Sequence, residues 1–320
     1  MLALPAAKPK LAISACLLGA EVRYNGGHKE SRLCSRTLTE YFEFAPVCPE
    51  VAIGLGIPRE PIRLVGDPEH PQAIGTVNPA INVTQPLAEY GEKMAAELDD
   101  ICGYIFMQQS PSCGLERVKV YHANGAPVNG GGRGIYAQAF CAQHPDLPVE
   151  EAGRLNDPVL RENFITRVFA YSAWQQVLAD GLSRRALTEF HSRYKYLLMA
   201  HNPLQYKALG KLLGNMAHTD PAELGPRYFS ELMAALKKCA TRGTHCNVLL
   251  HISGYLKQVI SAEDKQEMVH VIDQYRLGIV PLVVPLTLLK HHFRQHPDPY
   301  IAQQVYLQPH PENLSLRNAI

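Results

Sequence analysis

Short apolar runs and longer amphipathic stretches alternate through the first half of the chain. Leu11 to Ala15 (LAISA), Phe42 to Val47 (FEFAPV) and Tyr104 to Met107 (YIFM) have the length and composition of buried strands. Between the second and third, Leu87, Tyr90, Met94 and Leu98 recur three or four residues apart and predict a helix over 86–100. A second helical pattern runs from Ile135 to Gln143. Strands alternating with helices predict an α/β layer, a Rossmann-like open and mostly parallel sheet.

The period changes near residue 157. Asp157 is placed to cap a helix with Pro158 in its first turn, and Leu160, Phe164, Val168, Tyr171 and Trp174 follow at helical spacing. Further helices are predicted over Ser183–His201, Leu204–Ala217, Tyr228–Thr241 and Ala262–Tyr275. The expected organisation is therefore an α/β domain over 1–153 and an all-α helical domain over 154–320, with Pro145, Pro148 and Gly153 flanking the join. Pro281 and Pro285 interrupt the apolar stretch Leu277–Leu289, which reads as packed structure and not as a membrane span. The opening MLALPAAKPK is too short and proline-broken for a secretory signal, so the expectation is a cytoplasmic protein.

In a reducing compartment the eight cysteines point to metal binding or catalysis before disulfides. Three of them share a context. Cys16 follows LAISA, Cys48 follows FEFAPV and Cys113 follows YIFMQQSPS, each at or just past the end of a predicted strand. The C-terminal ends of the strands of an open parallel sheet line one crevice, where such folds bind ligands. No C-x-x-C or C-x-x-H pair is present to close a four-ligand zinc site. Three thiolates suit a cubane iron–sulfur cluster with one iron left open. Three packed, inert cysteines would satisfy the same spacing. Cys102 and Cys141 fall on apolar helical faces, and Cys34, Cys239 and Cys246 lack strand-end context; all five read as packing or surface residues.

Two oxygen-bearing side chains accompany this trio. Glu50 stands two residues after Cys48 and Ser110 three before Cys113. A carboxylate beside a metal can take a proton from water, and the alternative is that Glu50 caps a helix and Ser110 a turn. The glycine-rich entry Asn129–Gly134 to the 135–143 helix contains Gly132, Arg133 and Gly134, either an anion cradle or a connecting turn. It has neither Walker nor dinucleotide spacing, so it does not argue for ATP or NAD.

The net charge of +1 conceals an asymmetry: residues 1–160 carry 13 Lys and Arg against 18 Asp and Glu, while residues 161–320 carry 18 against 12. A basic second half suits an anionic partner, and equally an ordinary solvated surface.

The runs SACLLGAEVRYNGGHK, CPEVAIGLGIPREPIRLV, SPSCG and GRGIYA resemble the thiouracil desulfidase family over about 10–150. RLNDPVLRENFITRVFAY and FHSRYKYLLMAHNPLQYKALG resemble the YbgA-like helical domain, and the fusion is similar to the two-domain RNA 4-thiouridine desulfidases. The resemblance implies a [4Fe-4S] cluster held by Cys16, Cys48 and Cys113, its fourth iron open to the substrate's sulfur, and it implies that Glu50 and Ser110 act on the substrate. Glu50 would activate water against the thiocarbonyl carbon, giving uridine and hydrosulfide without net electron transfer.

The implied partner is transfer RNA or a thiolated nucleotide, with no membrane and no DNA. Arg184, Arg185, Arg193, Lys195, Lys207, Lys211, Lys237, Lys238 and Arg242 cluster in the central helical stretches with Tyr194, Tyr196 and Tyr206 interleaved, a pattern that suits phosphate contacts and base stacking without assigning any one contact. It equally suits ordinary solvated helix surfaces with Tyr196 and Leu197 in the core. The competing expectation is a non-catalytic iron–sulfur or zinc sensor with a nucleic-acid-binding helical domain.

Overall fold

The apolar run at Leu11 becomes the second strand of a four-stranded sheet. In the computed structural model, which describes residues 7–215 and 219–320, β1 (Lys10–Ser14), β2 (Glu43–Val47), β5 (Gly103–Phe106) and β7 (Val149–Glu151) stand in the order β2-β1-β5-β7, every pairing parallel. Leu11 to Ser14 and the whole of β5 are buried, which is why these strands read as continuous apolar runs and not as alternating ones. Ser14 pairs with Val47 and Ile13 with Ile105, so β1, β2 and β5 end at the same level of the sheet. That shared level positions the site.

A second, three-stranded sheet was not legible in the sequence. β3 (Ile62–Gly66) and β4 (Pro71–Gly75) form an antiparallel hairpin, and β6 (Val120–Tyr121) pairs parallel to β3. In β3 only Leu64 is fully buried, and the flanking prolines and charges hide the period-2 alternation that announces a hairpin. Three helices complete this unit: the single turn α1 (Pro49–Ala52), α2 (Thr84–Glu97) and α3 (Ile135–Gln143). Gly91 lets α2 approach α3, because a Cβ there would stand 2.8 Å from the carbonyl oxygen of Tyr136. Tyr104, Phe106, Tyr136 and Phe140 are fully buried, with Tyr104 stacked on Phe106 at 3.7 Å.

The described residues group into two compact units, 7–156 and 157–320. The second unit is helical: α4 (Pro158–Ala179), α5 (Arg184–His201), α6 (Pro203–Gly214), α7 (Pro221–Lys237), α8 (Arg242–Ser253), α9 (Ala262–Arg276), α10 (Val283–Gln295) and the short α11 (Pro299–Ala302). Asp157 accepts the N–H groups of Val159 and Leu160, as its position before Pro158 implied. Trp174 stacks on Phe229 at 4.9 Å inside the core that these helices share.

One helical expectation is corrected. The helix expected over 228–241 starts at Pro221 and stops at Lys237, and Thr241 instead opens α8 through a capping box with Thr244. The proline-broken stretch 277–289 enters α10, whose first turn accommodates Pro285. The end of the helix expected over 204–217 lies partly outside the described residues. Among the described residues no helix is long and apolar enough to cross a membrane.

Candidate active site

Each of the three cysteines sits where the chain leaves the sheet. After β1 the chain enters a single 3-10 turn, Ala15–Leu18, closed by Gly19 at φ +93°, and Cys16 lies within it. Cys48 precedes α1, whose first residue Pro49 needs no hydrogen bond at that position. Beyond β5 the chain continues to a turn at 110–114, where the Ser110 hydroxyl oxygen accepts the N–H groups of Ser112 (3.2 Å) and Cys113 (3.1 Å). The Gly114 N–H closes that turn on the Ser110 carbonyl at 2.8 Å. Met107 N donates to Ser14 Oγ at 3.0 Å and ties the ends of β1 and β5 together.

The result is one cavity of about 460 Å³ whose wall includes Cys16, Cys48 and Cys113 together with Glu50 and Ser110. All three cysteines carry free thiols. Burial pushes the Cys16 thiol up to about 11, with the neighbouring Cys48 adding to it. Burial likewise raises Cys48, and it raises Cys113 well above the ordinary thiol value, with the Glu50 charge reinforcing the effect. In the metal-free protein the trio is therefore neutral at physiological pH.

Glu50 is held from both sides. Its Oε2 accepts Arg59 Nε at 2.9 Å and Nη2 at 2.8 Å, and its Oε1 accepts the Ser112 hydroxyl at 2.8 Å. Arg59 is itself anchored on the Val22 carbonyl (2.9 Å) and the Gly56 carbonyl (3.0 Å), and its side chain is 5% exposed. Such a fork fixes the direction as well as the charge of the carboxylate. Sequence reasoning missed Arg59 and Ser112. Both stand inside the motifs quoted above, but only the closed loop brings Arg59 back to Glu50, and no local spacing signals it.

Gly132, Arg133 and Gly134 do not line the cavity. Arg133, Gly134 and the following Ile135 brace the Cys113 turn from behind: Gly134 N donates to the Gly114 carbonyl at 2.8 Å, Ile135 N to the Pro111 carbonyl at 3.0 Å, and Arg133 Nε to the Leu115 carbonyl at 3.0 Å, while Gly132 exchanges backbone hydrogen bonds with Val118. A Cβ on Gly134 would meet the Ser112 carbonyl at 2.5 Å and Cys113 N at 2.8 Å. Gly134→Ala is accordingly expected to cost about 1–3 kcal/mol by overpacking, read as a lower urea midpoint. An unchanged midpoint would show that the turn yields freely.

The remaining cysteines lie off the cavity wall. Cys34 is buried in a helical turn at 33–37, and Cys102 is buried in the connection between α2 and β5, which corrects its expected helical placement. Cys141 is on α3, Cys239 lies between α7 and α8, and Cys246 is buried in α8. In the helical unit Tyr194 and Tyr196 are 3% and 2% exposed, which removes them as stacking platforms because their rings belong to the core. Arg185 pairs with Glu189, and Arg242 donates to the Tyr275 carbonyl at 2.8 Å.

A parallel α/β sheet thus carries three thiols around a void at its strand-end side, beside a pinned carboxylate: a thiol-lined crevice of the kind in which open α/β sheets place ligands. Residues 11–152 match the family described as 2-thiouracil desulfurase, and residues 195–311 match a family described as a protein of unknown function, DUF1722. The uncharacterized protein YbgA of Escherichia coli (strain K12) is 30% identical over 159 residues, which is 49% of this chain and 94% of YbgA. The uncharacterized protein YbbK of Bacillus subtilis (strain 168) is 31% identical over 126 residues, 38% of this chain and 83% of YbbK. A solved structure of the [4Fe-4S]-dependent thiouracil desulfidase TudS is 28% identical, covering 47% of this chain and 94% of that one, with a TM-score of 0.35. The chain belongs to the 2-thiouracil desulfurase family and carries a DUF1722 region after that part.

Proposed function

We propose that this protein is a desulfidase that replaces the sulfur of a thiolated uracil by oxygen, on 4-thiouridine in transfer RNA, on thiouridine nucleotides or on free thiouracil, and that Cys16, Cys48 and Cys113 hold a [4Fe-4S] cluster for that purpose. The observation that carries the reading is the single cavity bounded by three strand-end thiols and by Glu50. The donor set fits the cluster. Among the described residues no group of three His, Cys, Asp or Glu side chains is placed to hold a single metal ion. In a polynuclear cluster each thiolate binds a different iron, so thiols spread around a void suit it better than they suit one tetrahedral ion. Binding would release the three protons that burial keeps on the sulfurs. When bound, the cluster supplies a soft Lewis-acidic iron for the thiocarbonyl sulfur.

The chain's own residues then have distinct tasks. Glu50 takes a proton from water, with Arg59 and Ser112 holding its carboxylate in place. The resulting hydroxide adds to the thiocarbonyl carbon, the adduct collapses to a carbonyl, and the sulfur leaves as hydrosulfide. Oxygen and protons come from water, and no oxidant or reductant is consumed. Ser110 spends its lone pairs on two backbone N–H groups, which leaves its own O–H to donate to a carbonyl or nitrogen of the ring. Exposed Lys29 and half-buried Arg23 line the same cavity and would meet a nucleotide's phosphate. A cavity of about 460 Å³ falls in the usual range for a small-molecule site. The basic residues of the helical unit would add sequence-independent affinity for RNA, and a base reached within folded RNA would be turned out of its stack.

The test is anaerobic. Iron and acid-labile sulfide are measured on the purified protein, then the loss of thiocarbonyl absorbance is followed with a 4-thiouridine nucleotide and with thiolated transfer RNA. Turnover with stoichiometric hydrosulfide is expected. A colourless protein after anaerobic reconstitution would remove the cluster, and a cluster without turnover would leave a sensor.

A further inference from the structure

The loop 22–31 brings the run VRYNGG to the thiol-lined cavity, and Val22, Arg23, Tyr24 and Lys29 stand in the cavity's wall. The loop is pinned at both ends. At its start the Tyr24 carbonyl accepts Arg59 N–H at 2.8 Å, and the Val22 carbonyl accepts Arg59 Nη2 at 2.9 Å. At its end Lys29 N donates to the Cys16 carbonyl and Ser31 N to the Leu17 carbonyl, both at 2.9 Å. Between them Arg23 N donates to the Gly27 carbonyl at 3.1 Å. Arg59 also clamps Glu50, so the backbone of Tyr24 and the carboxylate of Glu50 share one anchor.

Tyr24 is the one aromatic side chain among the described residues that line this cavity; the apolar remainder of the wall is alanine, valine, proline, isoleucine and methionine. The residue is 40% exposed. The Arg23 guanidinium lies over its ring, 5.5 Å from the centroid. A single guanidinium covers one face of a ring only. A phenol ring fixed at the wall of a cavity and left this open is a surface for a flat π system, since aromatic rings gain most from offset stacking on another planar ring. An aliphatic wall accepts any apolar group, whereas a fixed flat ring favours a flat partner.

We propose that Tyr24 is the stacking platform for the pyrimidine ring of the substrate and the residue that makes this site select a planar base. The base lies on the Tyr24 ring while the nucleotide's phosphate meets Arg23 and Lys29, which flank it in the same wall. The inference deepens the desulfidase reading and rests on it for the kind of ring. The platform acts on binding, so its loss raises KM more than it lowers kcat.

Isothermal titration calorimetry of the full chain, purified anaerobically, compares uridine monophosphate with dihydrouridine monophosphate, which keeps the carbonyls, the ring N–H groups and the phosphate but has a saturated, puckered ring. The parent is expected to bind uridine monophosphate roughly 5–150-fold more tightly, the range that stacking of one base on an aromatic side chain supplies. Tyr24→Leu should weaken uridine monophosphate by that factor and bind the two nucleotides alike, at the parent's iron content. Tyr24→Phe should keep the parent's preference. Equal affinity of the parent for both nucleotides would overturn the proposal, as would a preference that survives in Tyr24→Leu or disappears in Tyr24→Phe. It would fall equally if the parent bound no uridine monophosphate. A parent that shows the expected preference but turns over no thiolated substrate would remove the desulfidase reading and leave Tyr24 as a base platform.

Discussion

Replacing Glu50 by glutamine is expected to lower desulfidation by about 10²–10⁴-fold, the range that a positioned general base contributes, while iron and sulfide content stay at the parent level. Glutamine keeps the shape of the side chain and an oxygen that can accept the Arg59 fork or the Ser112 hydroxyl, but it cannot take a proton from water. The loss should fall on kcat, because the proposed mechanism has this residue act on the attacking water and not on the uracil ring. Steady-state turnover of a 4-thiouridine nucleotide, measured beside an iron assay on the same preparation, reads both quantities. Activity within a few-fold of the parent would remove Glu50 as the base. Loss of iron together with activity would instead place Glu50 among the structural supports of the crevice.

Cys113→Ala should abolish turnover and the bound iron together. Cys113 is 6% exposed and stands on a turn braced by Ser110 and Gly134, which fixes where its sulfur is presented to the cavity. A cluster deprived of one of three protein ligands loses its anchorage at a site that water then reaches. Cys246→Ala is the matched control: that residue is also buried, in α8, and donates to the Ile272 carbonyl at 3.7 Å. Its loss should weaken the helical core and leave iron content unchanged. Equal iron in the Cys113 variant and the parent would exclude this cysteine as a ligand. Iron measured against unfolding midpoints for both variants separates loss of a ligand from loss of the fold.

The central strands that carry the candidate site were legible because β1 and β5 are buried on both faces and read as unbroken apolar runs at Leu11 and Tyr104, while the edge strand β2, buried only at Val47, showed as the shorter run at Phe42–Val47. The Asp157–Pro158 cap was equally plain, since both residues act within their own turn. The hairpin Ile62–Gly75 was hidden because its strands are only partly buried and its turn is full of charge and proline. Thr241 was misplaced in α7 because its apolar neighbours continue the helical period, and only the capping box with Thr244 shows where α8 begins. Tyr194 and Tyr196 looked available beside their basic neighbours, yet the helix turns both rings into the core.

By itself the sequence determined the α/β-then-helical order, the positions of three cysteines at strand ends and the presence of Glu50 beside one of them, because strand burial, capping and chain reversal are local properties of a few adjacent residues. The tertiary structure alone decided that Arg59 and Ser112 clamp Glu50 and that Gly134 braces the Cys113 turn without lining the cavity. Those are contacts between segments distant along the chain, and no periodicity encodes which of many compatible side chains will meet when parallel strands and packed helices bring them together.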